Sequence, residues 1–338
     1  MSCIYNNFLN FSFIPQLIRV PISSIAIPDD LLDTSSDDTI NLQQRVISII
    51  EDIIPLNSYY VKSFLKKLIA ELETRNLEID ELVYDTYVRL LPLKLLAPTD
   101  YDIVEYSISK KITKSIKIKE TPKLISGLGT TGLRTWEASI YLADFLVNGD
   151  YLKSKKIENL SLLELGTGTG LIGLSIYKYL IETSTKIVKN IIMTDGNLSL
   201  IETLHTSNLS LNDILVPRDS LHNNAIRCCK LWWSKDSFPT TDIDIIVGAD
   251  ITYDQTELPD LISCFKQGFQ NTNVKEIIIA STIRNENTIN EFEKLLSKNE
   301  FNYNVIDKRL ANTTTNNSLV WLNDNTPEIR IYSITLAI

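Results

Sequence analysis

The run Leu162-Leu163-Glu164-Leu165-Gly166-Thr167-Gly168-Thr169-Gly170-Leu171 constrains the fold more than any other stretch of this chain. An apolar strand carrying one acid meets three alternating glycines, which open directly into an amphipathic helix. Glycine has no Cβ, so the backbone can turn tightly and let a ligand approach where a larger residue would collide. The helix then presents its first unpaired amides to that ligand. Three alternate glycines destabilise a turn unless something needs the space, so the run reads as a nucleotide-cradling strand-to-helix turn.

Strand and helix patterns alternate around this turn, which calls for an α/β fold with a parallel sheet covered by helices on both faces. The expected strands are Leu160–Leu165, Asn190–Asp195, Cys229–Trp233, Asp244–Asp250, Glu276–Thr282, Tyr303–Lys308 and Arg330–Leu336. The expected helices are Thr135–Val147, Leu171–Ile181, Leu198–Leu211, Leu258–Phe269 and Thr288–Lys298. Sheets of this kind bind ligands beyond the carboxyl ends of their first strands. The first hundred or so residues carry no nucleotide motif and read as helical: Gln43–Ile54, ending before Pro55, then Tyr59–Leu72 and Ile79–Leu91. Pro28–Asp38 is acidic and polar and reads as an exposed loop, and Thr121–Arg134, punctuated by Gly127, Gly129 and Gly132, as the joint between two parts. The expected organisation is a mostly helical region over 1–115, a candidate for substrate recognition, followed by the ligand-binding domain over 116–338.

At 338 residues with 44% hydrophobic and 22% charged residues, the chain can bury a large core. No apolar run reaches the roughly 18 to 20 residues of a membrane span, and Met1–Pro15 lacks a basic segment ahead of its apolar stretch, so neither a span nor a secretory signal is expected. Cys3, Cys228, Cys229 and Cys264 form no Cys-x-x-Cys pair, and only His205 and His222 could join them, so no metal is expected and a reducing, cytoplasmic compartment fits. A net charge of -9 repels phosphate backbones and disfavours a nucleic-acid partner. Lys110, Lys111, Lys114, Lys117 and Lys119, interleaved with Ile116 and Ile118, read as a strand with one wet face or as a docking patch for an acidic partner.

The glycines admit two registers. Gly166, Gly168 and Gly170 give Glu-x-Gly-x-Gly-x-Gly, whereas Gly168, Gly170 and Gly173 formally satisfy the dinucleotide pattern Gly-x-Gly-x-x-Gly. The first is favoured, because it sets Gly166 directly after the strand, points Glu164 at the ligand and leaves Gly173 as a packing residue inside the helix. It suggests S-adenosylmethionine rather than NAD. Asp195, ending the next strand, can accept hydrogen bonds from both hydroxyls of a ribose, which suits either cofactor. Trp136 opens a helix just before the glycine strand and is either core or a pocket wall. Trp232 and Trp233 are expected at a strand end, where period-two alternation lets one of them line an adenine pocket. In Gly248-Ala249-Asp250-Ile251-Thr252-Tyr253, small Ala249 leaves room for a cofactor, with an acid and a tyrosine beside it.

Together, Thr-Gly-Leu-Arg-Thr-Trp-Glu-Ala (131–138), Leu-Glu-Leu-Gly-Thr-Gly-Thr-Gly-Leu-Ile-Gly (163–173), Asp195, Leu-Trp-Trp (231–233) and Ala-Asp-Ile-Thr-Tyr (249–253) resemble the seven-β-strand lysine methyltransferases of methyltransferase family 16. The likeness runs from about Ile118 to the C-terminus, and within the family the helical extension and the wording around Trp136 look most like the enzymes that methylate elongation factor 2. The resemblance implies a seven-stranded Rossmann-like class I fold and S-adenosylmethionine as cofactor. It also implies a protein substrate, neither nucleic acid nor membrane as partner, and a monomer. It further implies that Trp136 packs at the donor pocket and that the Gly166-Thr167-Gly168 backbone meets the methionyl part. Asp195 would bind ribose, Trp233 stack near adenine and Ala249 close the site. Asp250 and Tyr253 match the family's Asp-x-x-Tyr motif and are the catalytic candidates for orienting the target lysine. Ser234 departs from the family, where many relatives carry glycine or aspartate.

Overall fold

The structure, a computed structural model, describes residues 36–337 apart from 95–96, 98, 110–111, 113–114, 123, 128, 150, 155–159, 185–187, 215–225, 312–321 and 323–324. Most of the Pro28–Asp38 loop and Lys110, Lys111 and Lys114 therefore lie outside the described residues. The chain divides into two compact units, Met1–Tyr106 and Ser107–Ile338, whereas the sequence places the boundary at 115/116.

In the first unit, α1 spans Ser36–Thr74 and α2 spans Glu81–Leu90, with β1 at Asp102–Tyr106. The expected break before Pro55 does not occur: α1 carries Pro55 inside it. A proline there forfeits one helical hydrogen bond and costs about 3 kcal/mol. The buried stripe of Val46, Ile50 and Ile53 resumes in phase at Val61, Leu65, Leu68 and Leu72, so an unbroken helix buries more than two separate ones could. Gln43, fully buried, ties the two helices: its amide donates to the Glu78 carbonyl at 3.0 Å and accepts from the Asp80 N–H at 2.9 Å. Asp80 in turn caps α2 by accepting from the Leu82 N–H.

The second unit holds β2 (Ile116–Glu120), α3 (Glu137–Asn148), β3 (Leu160–Leu165), α4 (Leu171–Thr183), β4 (Val188–Asp195) and α5 (Leu198–Thr203), the last continuing through a π turn at Leu204–Asn208. Then come β5 (Ile226–Lys230), β6 (Ile245–Ala249), α6 (Leu258–Asn271), β7 (Glu276–Thr282), α7 (Glu286–Lys298), β8 (Phe301–Arg309) and β9 (Ile329–Leu336). Seven of these strands form one sheet in the order β5-β4-β3-β6-β7-β9-β8. Every neighbouring pair from β5 to β7 is parallel, and β9 runs antiparallel between β7 and β8. The strand order reverses at β3, so a crevice opens beyond its carboxyl end, where the glycine run lies. β3 is buried at all six residues, as a central parallel strand covered on both faces must be.

β5 is the one sheet strand displaced from expectation. It ends at Lys230 instead of Trp233, because the chain leaves the ladder at Leu231 and turns. The Asp236 carboxylate accepts from the Trp232 N–H at 2.8 Å, and Ser234 adopts a left-handed φ of 60°. β2 alternates as expected, with Ile116 and Ile118 buried and Lys117 and Lys119 half-buried. The Thr121–Arg134 loop lies wholly within the second unit.

Candidate functional site

Beyond β3 the glycines take up the conformations that only they adopt easily: φ is 59° at Gly166, 52° at Gly168 and 86° at Gly170. Gly173 is an ordinary buried residue of α4, so the first register is the one that folds. A Cβ on Gly166 would stand 2.5 Å from Ile251 Cγ2, whereas one on Gly168 would just touch the backbone of Gly132 at 3.4 Å, so that there the left-handed φ is the constraint. The turn is stitched to β4, with the Thr167 N–H donating to the Thr194 carbonyl at 2.8 Å and the Gly168 N–H to Asp195 Oδ2 at 3.1 Å.

Glu164 is placed differently from expectation. Its side chain turns away from the crevice, is almost fully buried, and accepts from the Gly173 N–H at 3.1 Å in the first turn of α4. Burial pushes its carboxyl up to about 8, with the nearby Asp195 charge adding to the rise and the Gly173 N–H opposing it. Glu164 thus fastens α4 to β3 beneath the turn instead of facing a ligand. Asp195 does face the crevice. Its second oxygen accepts from the Asn197 N–H at 2.9 Å, so the carboxylate is held by two backbone donors, and burial raises its pKa.

A cavity of about 340 Å³ runs over this turn and is lined by Trp136, Gly166–Thr169, Asp195, both tryptophans after β5, Ala249 and Tyr253. Because the chain has left the sheet by Leu231, strand alternation does not separate Trp232 from Trp233, and both reach the cavity. Trp232 borders Gly196 and is 41% exposed, whereas Trp233 packs on the core with Cζ2 3.7 Å from the Cβ position of Gly166. A second cavity of about 280 Å³ adjoins the first. The two share Thr131, Trp136, Asp250 and Tyr253.

Asp250 sits between them in a left-handed conformation, φ 52°, with its carboxylate saturated by protein donors. Oδ1 accepts from the Thr282 N–H at 2.9 Å and from Arg284 at 3.2 Å. Oδ2 accepts from the Thr282 hydroxyl at 3.0 Å, from Arg284 at 3.3 Å and from the Ala138 N–H of α3 at 3.4 Å. The carboxylate therefore joins β6, β7 and α3, and its charge complements the amino end of that helix. Arg284 also donates to Glu137 at 2.9 Å, as does Arg134, and both guanidiniums lie over the Trp136 ring, at 4.8 and 4.0 Å from its centroid. The Trp136 indole N–H donates to the Thr131 carbonyl at 2.9 Å, and the Thr131 hydroxyl donates to the Tyr253 hydroxyl at 3.1 Å. Tyr253, 54% exposed, stands at the mouth of both cavities.

The π turn after α5 serves this site from behind. It carries Asn208, almost fully buried, into reach of two elements: the amide donates to the Thr169 carbonyl at 2.9 Å and accepts from the Lys119 N–H at 2.9 Å. Asn212 repeats the pattern one turn on with Lys117. Sequence reasoning missed Asn208, Glu137, Arg134 and Arg284. The clue for Arg284 is its place just past the expected strand Glu276–Thr282, on the carboxyl side of the sheet.

The sheet order, the left-handed glycine turn and the acid at the tip of β4 define a Rossmann-like class I methyltransferase domain, whose cofactor is S-adenosylmethionine. The chain belongs to the lysine methyltransferase family, whose model matches residues 113–299. It is 32% identical to the protein-lysine N-methyltransferase EFM3 of Saccharomyces cerevisiae, covering 79% of this chain and 81% of that one. It is 26% identical to the human protein-lysine N-methyltransferase EEF2KMT, covering 72% of each. Among solved structures, an S-adenosylmethionine-dependent methyltransferase from Clostridium acetobutylicum is 14% identical with a TM-score of 0.38, covering 58% of this chain and 91% of that one. The crevice suits the cofactor on its own terms: the Gly166–Gly168 backbone lines it, and Asp195 presents a carboxylate to the cavity.

Proposed function

We propose that this chain is a cytoplasmic, monomeric protein-lysine N-methyltransferase that modifies translation elongation factor 2. The observation that carries the reading is the junction of the two cavities at Trp136, Thr131, Asp250 and Tyr253: the larger is lined by the glycine turn, and the smaller, which shares Asp250 and Tyr253 with it, offers a separate space for the substrate side chain. Support for a protein lysine as substrate comes from the similarity to EFM3, which extends over most of the chain, and support for elongation factor 2 from the wording around Trp136 and the similarity to EEF2KMT.

In this reading the Gly166–Gly168 backbone binds the methionyl part, Asp195 the ribose, and the two tryptophans flank the adenine side. Ala249 keeps the floor low where the reaction occurs. When bound, the cofactor would supply an electrophilic methyl group on a sulfonium, open to displacement by an amine lone pair. The protein's task is then alignment and water exclusion more than proton transfer. A free lysine at pH 7 costs on the order of 4 to 5 kcal/mol to deprotonate, so a drier channel beside a positive charge lowers the barrier. Since five donors occupy Asp250, it acts as a positioning residue, and direct contact with the amine falls to the Tyr253 hydroxyl. Asp250→Ala is expected to abolish turnover while leaving cofactor affinity within a few-fold, and a large loss of cofactor binding would contradict that role.

The reading is tested by mass spectrometry of elongation factor 2 from cells with and without this gene. Loss of methylation at one lysine supports it, and an unchanged methylation pattern overturns the substrate assignment.

A further inference from the structure

Charge at the junction of the cavities is balanced within a small group of side chains. Asp250 and Glu137 contribute two carboxylates, Arg284 and Arg134 two guanidiniums, all interconnected by the contacts described above. The groups are partly withdrawn from water, with side-chain exposures of 5% for Asp250, 23% for Glu137, 21% for Arg134 and 37% for Arg284. Among the described residues, Arg284 alone is seen to bridge both carboxylates. The other titratable groups facing the junction are Tyr253, at its mouth, and Asp254 and Glu257 on the turn into α6, with Asp195 farther along the larger cavity.

This balance matters because of what must enter. An uncompensated carboxylate beside a lysine favours the ammonium form, which has no lone pair to attack with. Asp250 lines both cavities and Glu137 stands behind it on the far side of Arg284, and a site that left these carboxylates bare would bind its substrate in the unreactive state. Resting on the methyltransferase reading above, we infer that Arg284 is a positioning residue that offsets the charge of Asp250 at the channel and, together with Arg134, that of Glu137 behind it, so that the substrate lysine is presented as the neutral amine. Its stacking on Trp136 and its two-pronged grip on Asp250 fix the guanidinium where it does this. Arg134 does not substitute, because it reaches Glu137 but not Asp250 among the contacts of the described residues.

The test is the pH dependence of kcat for the full chain. The substrate is elongation factor 2 purified from cells lacking this gene, with radiolabelled S-adenosylmethionine as donor. Arg284→Gln keeps hydrogen-bonding capacity but removes the charge, and the midpoint of its pH profile is expected to move to higher pH by about one unit. Its rate near neutrality then falls about tenfold, recovers in alkali, and is not accompanied by a raised KM for the protein substrate. Arg284→Lys keeps the charge and is expected to retain the wild-type midpoint at reduced kcat. Glu137→Gln removes a negative charge with Arg284 in place and is expected to move the midpoint the opposite way, a sign that a merely structural role cannot produce. If Arg284→Gln fails to fold, judged by calorimetric binding of S-adenosylhomocysteine, the Glu137→Gln shift decides. Unmoved midpoints in the variants that fold, with an active wild type, overturn the inference and leave the methyltransferase reading standing. A wild-type enzyme that labels no lysine overturns both.

Discussion

Gly166 shows how little freedom a single position can have. Its φ of 59° and the 2.5 Å separation of a Cβ from Ile251 combine backbone strain with collision, in the segment we propose to meet the cofactor. Gly166→Ala should cost about 1 to 2 kcal/mol in strain and lower affinity for S-adenosylmethionine roughly tenfold or more by calorimetry. An unchanged affinity would show that the turn does not hold the ligand. Glu164 makes a different test, because its buried carboxyl is raised to about 8 from an ordinary 4.5. Below the lower value, folded and unfolded chains are both protonated and the acid's contribution is complete. As pH rises the unfolded chain releases its proton first, so stability drains away until pH passes the folded-state value. Thermal unfolding of Glu164→Gln against the wild type should show a Tm difference that grows in the variant's favour between about 4.5 and about 8. A constant difference across that window contradicts the burial of an ionisable acid there. The sequence identified Glu164 as special but not the direction of its side chain. That direction depends on the Gly173 N–H, whose accessibility only the folded helix reveals.

Among the elements, those whose pattern is local were legible and those decided by distant contacts were not. β7 falls at Glu276–Thr282 as expected, because a buried isoleucine run bounded by polar residues is a strand wherever it lies. The unbroken α1 was hidden by the proline, although the apolar stripe keeps its phase on either side. β5 ended early because β4 runs out at Asp195, which takes the Leu231 N–H, and Trp232 then finds its partner in the side chain of Asp236 instead of a neighbouring strand. The π turn could not be read at all, since its reason is the need for Asn208 to reach both β2 and the glycine turn. Asn208→Ala would leave the Thr169 carbonyl and the Lys119 N–H without that partner in the interior. A loss of about 2 to 4 kcal/mol in chemical denaturation is expected, and a change within 0.5 kcal/mol would deny the π turn its bracing role.

At the scale of the whole molecule, the crevice draws on the Thr121–Arg134 loop, the starts of α3 and α4, and the turns after β4, β5, β6 and β7. The glycine run, Asp195 and the Asp250–Tyr253 segment could be named from the sequence because each is a short word with its own chemistry. Arg284 could not, because its partners Asp250 and Glu137 lie 34 and 147 residues away along the chain. No helix among the described residues is long and apolar enough to cross a membrane, and no group of histidine, cysteine or acidic side chains among them is arranged to hold a metal. The decisive measurement is transfer itself. Purified chain is incubated with isotopically labelled S-adenosylmethionine and elongation factor 2 from cells lacking this gene, and the peptides are read by mass spectrometry. The account predicts labelled methyl on the amine of a single lysine; an elongation factor that emerges with no labelled lysine contradicts it.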